Sequence, residues 1–205
     1  FFEVTFFNTQ IDDESIPFTI TDRTYYRNAA KTNRTGIECG LKIEPFRKAD
    51  VIINYTYTNF KYDQYIARTY NQQGIPVDAD YSGSTVPSVP QHLVNFIVEH
   101  ERELAEHLEA LFLFDCDYVS QMYVDDQNTE TTSPYFYANF LLGLNWKFGK
   151  GSLVLSGGMN NIFDKKYVGF ININANPEFP QNQRRYYEPG EPITFYTKLN
   201  LSFNL

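Results

Sequence analysis

Along most of the chain, apolar and polar residues alternate with a period of two, in long runs separated by turn chemistry. The last run is the plainest. Phe195, Leu199, Leu201, Phe203 and Leu205 share one parity, and Thr194, Lys198, Asn200, Ser202 and Asn204 the other, with only Tyr196 and Thr197 blurring the pattern. Before Gly149-Lys150-Gly151, Phe136, Ala138, Phe140, Leu142, Leu144, Trp146 and Phe148 oppose Tyr137, Asn139, Gly143, Asn145 and Lys147. Ile37, Cys39, Leu41 and Ile43 oppose Glu38, Gly40, Lys42 and Glu44, and Val51, Ile53, Tyr55 and Tyr57 oppose Asn54, Thr56 and Thr58. A period of two puts successive side chains on opposite faces of a strand.

These runs predict about nine strands: 1–11, 18–30, 34–45, 49–62, 90–101, 105–122, 135–148, 151–163 and 192–205. Most exceed the roughly five or six residues of a globular strand and reach the nine to eleven or so that a tilted strand needs to cross a bilayer. Short turns are expected at Asp12–Pro17, Pro45–Lys48, Arg102–Glu103 and Gly149–Gly151, and a short connection at 31–33. Long polar connections fall at 63–89, 123–134 and 164–191. Alternation of short turns and long loops is the habit of outer-membrane barrels. Nine strands in a meander would leave the first and last parallel, unable to close a fully antiparallel barrel. The expected fold is therefore all-β, an antiparallel up-and-down transmembrane β-barrel of which this is the C-terminal portion, about nine strands of a larger wall. The segment Val98–Leu111 competes with this reading, because good helix formers there place Leu104, Leu108 and Leu111 at helical spacing. The alternation of Val94, Phe96, Val98 before it and Phe112, Phe114, Cys116, Tyr118 after it favours two strands and a tight turn.

Composition sharpens the picture. Aromatics make up 17% of the residues, with 16 Tyr beside 18 Phe, as expected where rings bridge hydrocarbon and water. No window approaches eighteen or so consecutive apolar residues, so no transmembrane helix is expected. The net charge of −8, with basic residues scattered, argues against a nucleic-acid partner. The chain opens on Phe1-Phe2-Glu3-Val4-Thr5, which reads as a strand entered midway and suggests a piece of a longer protein. Cys39 and Cys116 fall three strands apart in the meander, roughly 14 Å at the usual strand spacing, too far for a disulfide.

Four clusters resemble the barrel of TonB-dependent outer-membrane receptors. They are Asn28-Ala29-Ala30-Lys31 followed by Thr35-Gly36-Ile37-Glu38; Val86-Pro87-Ser88-Val89-Pro90-Gln91-His92; Asn160-Asn161-Ile162-Phe163-Asp164-Lys165-Lys166-Tyr167; and Arg185-Tyr186-Tyr187-Glu188-Pro189-Gly190-Glu191-Pro192, leading into the terminal strand. Ile193 stands where Arg is common, and the chain ends in Leu205 where Phe is usual. The resemblance implies that residues 1–205 are the C-terminal part of a barrel of roughly 22 strands, plugged by a domain that, with the signal peptide, would lie upstream. It further implies active uptake of a scarce nutrient, such as an iron–siderophore complex, energised by the TonB complex through that plug. No covalent chemistry and no cofactor are implied.

By that analogy the ligand contacts are expected in the extracellular loops, with Tyr81, Arg184, Arg185, Tyr186 and Tyr187 as candidates: rings to stack and guanidiniums to grip carboxylates or catecholates. Tyr55, Tyr57, Tyr118, Tyr135, Trp146, Phe148, Phe195 and Phe203 are the candidate membrane-interface aromatics. Glu38, Lys42, Glu44, Asn54, Thr56, Thr58, Asp115 and Asp117 fall on the polar parity, where they solvate the wall or meet the plug. His100-Glu101 and His107 lack the His-Glu-x-x-His spacing of a zinc site, though the two histidines could face each other across a turn. No Gly-x-Ser-x-Gly occurs, and no metal site or enzyme is expected. Three functions stay open: a TonB-energised receptor, a passive channel or structural barrel, and a soluble lipocalin-like ligand barrel whose apolar parity turns inward. The partners expected are a lipid bilayer, the TonB complex and a small-molecule nutrient. A separated piece, with two bare strand edges, is expected to self-associate.

Overall fold

The computed structural model describes residues 1–20, 23–70, 75–175 and 186–203, and among these every regular element is a strand. Eight long strands form one antiparallel wall: β1 (Phe2–Ile20), β2 (Arg23–Phe46), β3 (Ala49–Tyr70), β5 (His92–Ala105), β6 (Leu108–Val119), β7 (Tyr135–Phe148), β8 (Gly151–Asn160) and β11 (Thr194–Phe203). β4 (Pro76–Asp80) pairs with the far end of β3, and β9 (Val168–Ile171) forms a separate ribbon with β10 (Tyr187–Pro189).

The count corrects the expectation of nine. The run expected at 18–30 is split: residues 18–20 end β1, which passes through the expected turn at Asp12–Pro17, and residues 23–30 continue through 31–33 into the run at 34–45 as one strand, β2. The polar residues there keep their extended pairing because the neighbouring strands satisfy them. The Glu14 carboxylate takes the Thr32 hydroxyl at 2.5 Å and pairs with Arg34. The register slips on both sides of Glu14, and Asp13 has a φ of 57°, so the would-be turn is a bulge. Pro17 stands opposite Tyr26 of β2 beyond this bulge. With eight strands the first and last are antiparallel, so β1 runs opposite to the direction expected for it, and strand parity no longer argues against closure.

Three tight turns stand at one rim: Arg47-Lys48, Glu106-His107 and Gly149-Lys150. Lys48, His107 and Gly149 each take a positive φ. The second replaces the turn expected at Arg102–Glu103. Segment 98–111 is thus two strands and a turn, and its helical spacing is overridden by pairing of Val98 with Phe114 and His100 with Phe112. The longer connections all leave from the opposite rim. Cys39 on β2 and Cys116 on β6 are both free thiols, with β3 and β5 between them.

The register keeps like with like across the wall. Val51–Val98, Ile53–Phe96, Phe114–Phe140, Phe112–Leu142 and Leu155–Leu199 pair on one face. Those side chains do not converge on a dry interior. Phe6, Leu142, Leu144, Trp146, Leu155, Phe195, Leu199, Leu201 and Phe203 are all large, apolar and exposed. The other face is polar. Asn54 donates to Asn95 at 3.1 Å, Asn95 to Asp117 at 2.9 Å and Asn139 to Asp115 at 2.6 Å, while Lys42 pairs with Asp50 at 3.0 Å.

Candidate functional site

Above the long-loop rim, β3 outruns its neighbour. β5 begins at His92, opposite Tyr57, so everything beyond Thr58 on β3 stands clear of that strand. The overhang is covered by the connections after β3, β6 and β8, packed as two small cores. One joins Ile16, Tyr62, Tyr65, Ala67, Tyr81 and Val86; the other joins Val119, Met122, Val124, Ile171, Ala175 and Tyr186.

A buried carboxylate ties the two cores together. Asp126 is 1% exposed. It accepts from the Tyr62 hydroxyl at 2.7 Å, the Tyr65 hydroxyl at 2.9 Å and the Asn174 amide at 2.8 Å, while its own N–H donates to Asn174 Oδ1 at 2.9 Å. Strand β3 and the connections after β6 and β8 therefore meet at one side chain. Burial and the adjacent Asp126 carboxylate push the Tyr62 phenol, in the overhang outside the membrane span, well above its ordinary value. Gln127 donates to the Tyr81 hydroxyl at 3.1 Å, and Asn128 both accepts from the Thr85 N–H at 2.7 Å and donates to the Thr85 carbonyl at 2.8 Å.

Next to this layer, on the polar face, lies a cavity of about 660 Å³ lined by Tyr137, Asn139, Asn160, Tyr167, Glu188 and Glu191 among others. Its wall is a stack of rings. Tyr167 lies parallel to Tyr137 (5.2 Å, 8°) and close to Tyr135 (4.9 Å, 28°). The Tyr167 ring also lies against Gly190, where a Cβ would come within 2.2 Å of it. The cavity floor is set by Asn161, which has a φ of 49°. Its N–H donates to Asn139 Oδ1, its amide to the carbonyls of Lys165 and Glu191, and its Oδ1 accepts from the Lys165 N–H, all at 2.9–3.0 Å. The Asn-Asn-Ile-Phe-Asp-Lys segment is thus a pinned turn that carries Tyr167 back to the wall.

The ligand candidates fall apart in space. Tyr81 is buried against the Tyr65 ring and Tyr186 is buried in the second core. Tyr187 alone of the three tyrosines is exposed, its ring 6.0 Å from that of Tyr186. Arg184 and Arg185 lie outside the described residues. Among the interface aromatics, Tyr55, Tyr57, Tyr118, Trp146, Phe148, Phe195 and Phe203 share the apolar parity. Tyr135 sits on the polar face, paired with Val119 and stacked on Tyr167. Trp146, Phe148 and Phe203 form one ring chain at the tight-turn rim, with centroid separations of 5.5 and 6.2 Å. Tyr118, Phe136 and Phe163 stand at the other end. Ten residues from Phe136 to Trp146 cover about 33 Å along a strand, or about 23 Å at a tilt of roughly 45°, close to the height of a hydrocarbon band.

His100 and His107 do not meet, since the first pairs with Ala49 and Phe112 inside the sheet and the second is on the turn itself. Among the described residues no group of three His, Cys, Asp or Glu side chains could hold a metal. Asp126 with its two tyrosines, and the Tyr135–Tyr137–Tyr167 stack, escaped sequence reasoning. Only the Asn-Asn-Ile-Phe-Asp cluster pointed near them.

A family model described as TonB dependent receptor-like, beta-barrel matches residues 1–162. The chain belongs to the TonB-dependent receptor β-barrel family. Solved structures of the same fold include the siderophore receptor PiuA from Acinetobacter baumannii (20% identity, TM-score 0.68, covering 97% of this chain and 25% of that one). BauA, the ferric preacinetobactin receptor from the same organism, matches at 15% identity and a TM-score of 0.64 over 98% of this chain and 26% of that one. The ferric-catecholate import receptor Fiu from E. coli K12 matches at 20% and 0.60, over 98% and 24%. The chain thus spans about a quarter of the length of these receptors. As a TonB-dependent receptor barrel it belongs to the bacterial outer membrane.

Proposed function

We propose that this chain is the C-terminal wall of a plugged receptor that takes up an iron–siderophore complex, with TonB pulling on a plug domain encoded upstream. The observation that carries the reading is the pairing of an exposed apolar face with a polar face capped by an ordered loop layer. A receptor needs such a layer to close over cargo, and a passive pore does not. The barrel relatives bear the names of siderophore, ferric-preacinetobactin and ferric-catecholate receptors, which supports iron as the metal carried. In this reading the barrel performs no covalent step. Its loops select the cargo, and Tyr187, Arg184 and Arg185 are the proposed contacts, while Tyr81 and Tyr186 hold the loops that present them. The aromatics of the apolar face anchor the wall at the two membrane interfaces.

The full-length receptor, expressed in an iron-starved host lacking its own siderophore receptors, tests this. Growth is expected with one class of ferric siderophore and only when the host has TonB. Growth that persists without TonB would favour a passive channel, and failure to bind any ferric siderophore would remove the cargo assignment.

A further inference from the structure

The tight-turn rim is stepped. Pairing between β3 and β5 ends at Ala49–His100, where the Glu101 N–H donates to the Lys48 carbonyl at 2.9 Å, but β5 and β6 continue as a hairpin to Glu106-His107. The step leaves a notch of about 400 Å³ lined by Phe46, Arg47, Lys48, His100 and Arg102 together with the acids Glu101 and Glu103. His100 pairs with Phe112 and Arg102 with Ala110, so both lie on the lipid-side parity. The Phe46 ring stands edge-on to His100 at 5.2 Å, and Phe46 and, further along β5, Leu104 are exposed.

Charge makes the notch unusual. In a chain of net charge −8, Arg47 and Arg102 are exposed and neither forms an ion pair among the described residues. The two acids of the lining, Glu101 and Glu103, share it with these arginines, and Arg47 acts electrostatically on Glu103. Glu103 is held by Lys48 at 3.0 Å, and Glu109 by Lys48 at 3.3 Å and Lys147 at 2.9 Å. Glu101 pairs with Leu111 on the lumenal parity. Depth is set by register: Ala110, the partner of Arg102, pairs in turn with Leu144, one step from Trp146 in the rim belt. Two guanidiniums at head-group depth, flanked by apolar side chains on the lipid side, match a phosphodiester with acyl chains beneath it.

We propose that this notch binds the phosphate head group of a phospholipid in the periplasmic leaflet, a reading that rests on the tight turns standing at the periplasmic rim. The full-length receptor, delipidated in non-ionic detergent, would be titrated with a short-chain phosphatidylglycerol and followed by native mass spectrometry. Diacylglycerol of the same chain length and inorganic phosphate form the other two arms. Arg47→Gln/Arg102→Gln is expected to weaken phosphatidylglycerol binding about tenfold or more. Arg47→Lys/Arg102→Lys should lose less, and Lys198→Gln on the lumenal face nothing. Folding of each variant is checked by its unheated gel migration, and siderophore binding is measured separately, so loss of the cargo assignment would not be mistaken for loss of this site. Unchanged lipid affinity in the double Gln variant, equal binding of diacylglycerol, or inorganic phosphate binding as tightly as the lipid would each overturn the proposal.

Discussion

Asn161 concentrates more of the loop architecture than any residue around it. Its positive φ is one that Asn tolerates and most side chains resist, and four hydrogen bonds converge on it. Asn161→Ala removes three of these and strains the backbone, with an expected cost of about 2–4 kcal/mol. Limited proteolysis should then cut the connection between β8 and β11, which intact receptor resists. Asp126 and Tyr62 offer a pH test. The folded chain raises the Tyr62 phenol above its ordinary value near 10, so it holds that proton more tightly than the unfolded chain. The stabilisation is therefore complete below about pH 10 and is lost as the pH climbs beyond it. Thermal unfolding from pH 7 to 11 should show the difference between the parent and Tyr62→Phe shrinking above about pH 10, and a constant difference would contradict the linkage. Glycine matters where an aromatic ring lies across it. A Cβ on Gly36 would sit 2.3 Å from the Phe7 ring, and one on Gly158 would sit 2.5 Å from Tyr196. Gly158→Ala is expected to cost about 1–3 kcal/mol in urea unfolding, with Gly158→Ala/Tyr196→Leu recovering part of it.

At the scale of the strand, β11 reads most directly. Leu199 and Asn200 are neighbours, both exposed, yet they face different media. Leu199 lies midway between Phe195 and Phe203, so Leu199→Lys should cost about 2–4 kcal/mol in refolding into lipid vesicles. Asn200→Lys should stay within about 0.5 kcal/mol. Equal penalties would mean that the two faces are equivalent. This period-two contrast was legible from the residues alone, and so were the hairpins at Lys48 and Gly149. What was not legible had local signals that tertiary pairing overrode. Asp12–Pro17 has turn chemistry, but Thr32 and Arg34 satisfy Glu14 across the strand pair. The two strands across 98–111 were legible from their flanks despite the helical spacing of Leu104, Leu108 and Leu111, but the turn expected at Arg102–Glu103 gives way to pairing of Glu103 with Glu109 and Ala105 with Leu108, which carries the hairpin on to Glu106-His107. The Asp126 node joins residues up to 64 positions apart, and no local pattern encodes such a contact. Tyr135 shares the parity of Tyr137 and Asn139, so alternation itself puts it on the polar face, and only its place at a strand end suggested an interface aromatic.

The whole sheet has two bare edges, β1 and β11. In the intact receptor the rest of the wall would pair with them. Residues 1–205 prepared alone should therefore self-associate or require detergent, and sedimentation of a detergent-free monomer would contradict a lipid-facing stripe. A more direct measurement takes the full-length receptor in bilayers, with single spin labels placed in turn from Thr194 to Phe203. Collision with dissolved oxygen, which concentrates in hydrocarbon, is expected to peak at 195, 197, 199, 201 and 203. A water-soluble nickel chelate should instead favour 196, 198, 200 and 202. A flat profile, or one with the two parities exchanged, would contradict the assignment of the apolar face to lipid.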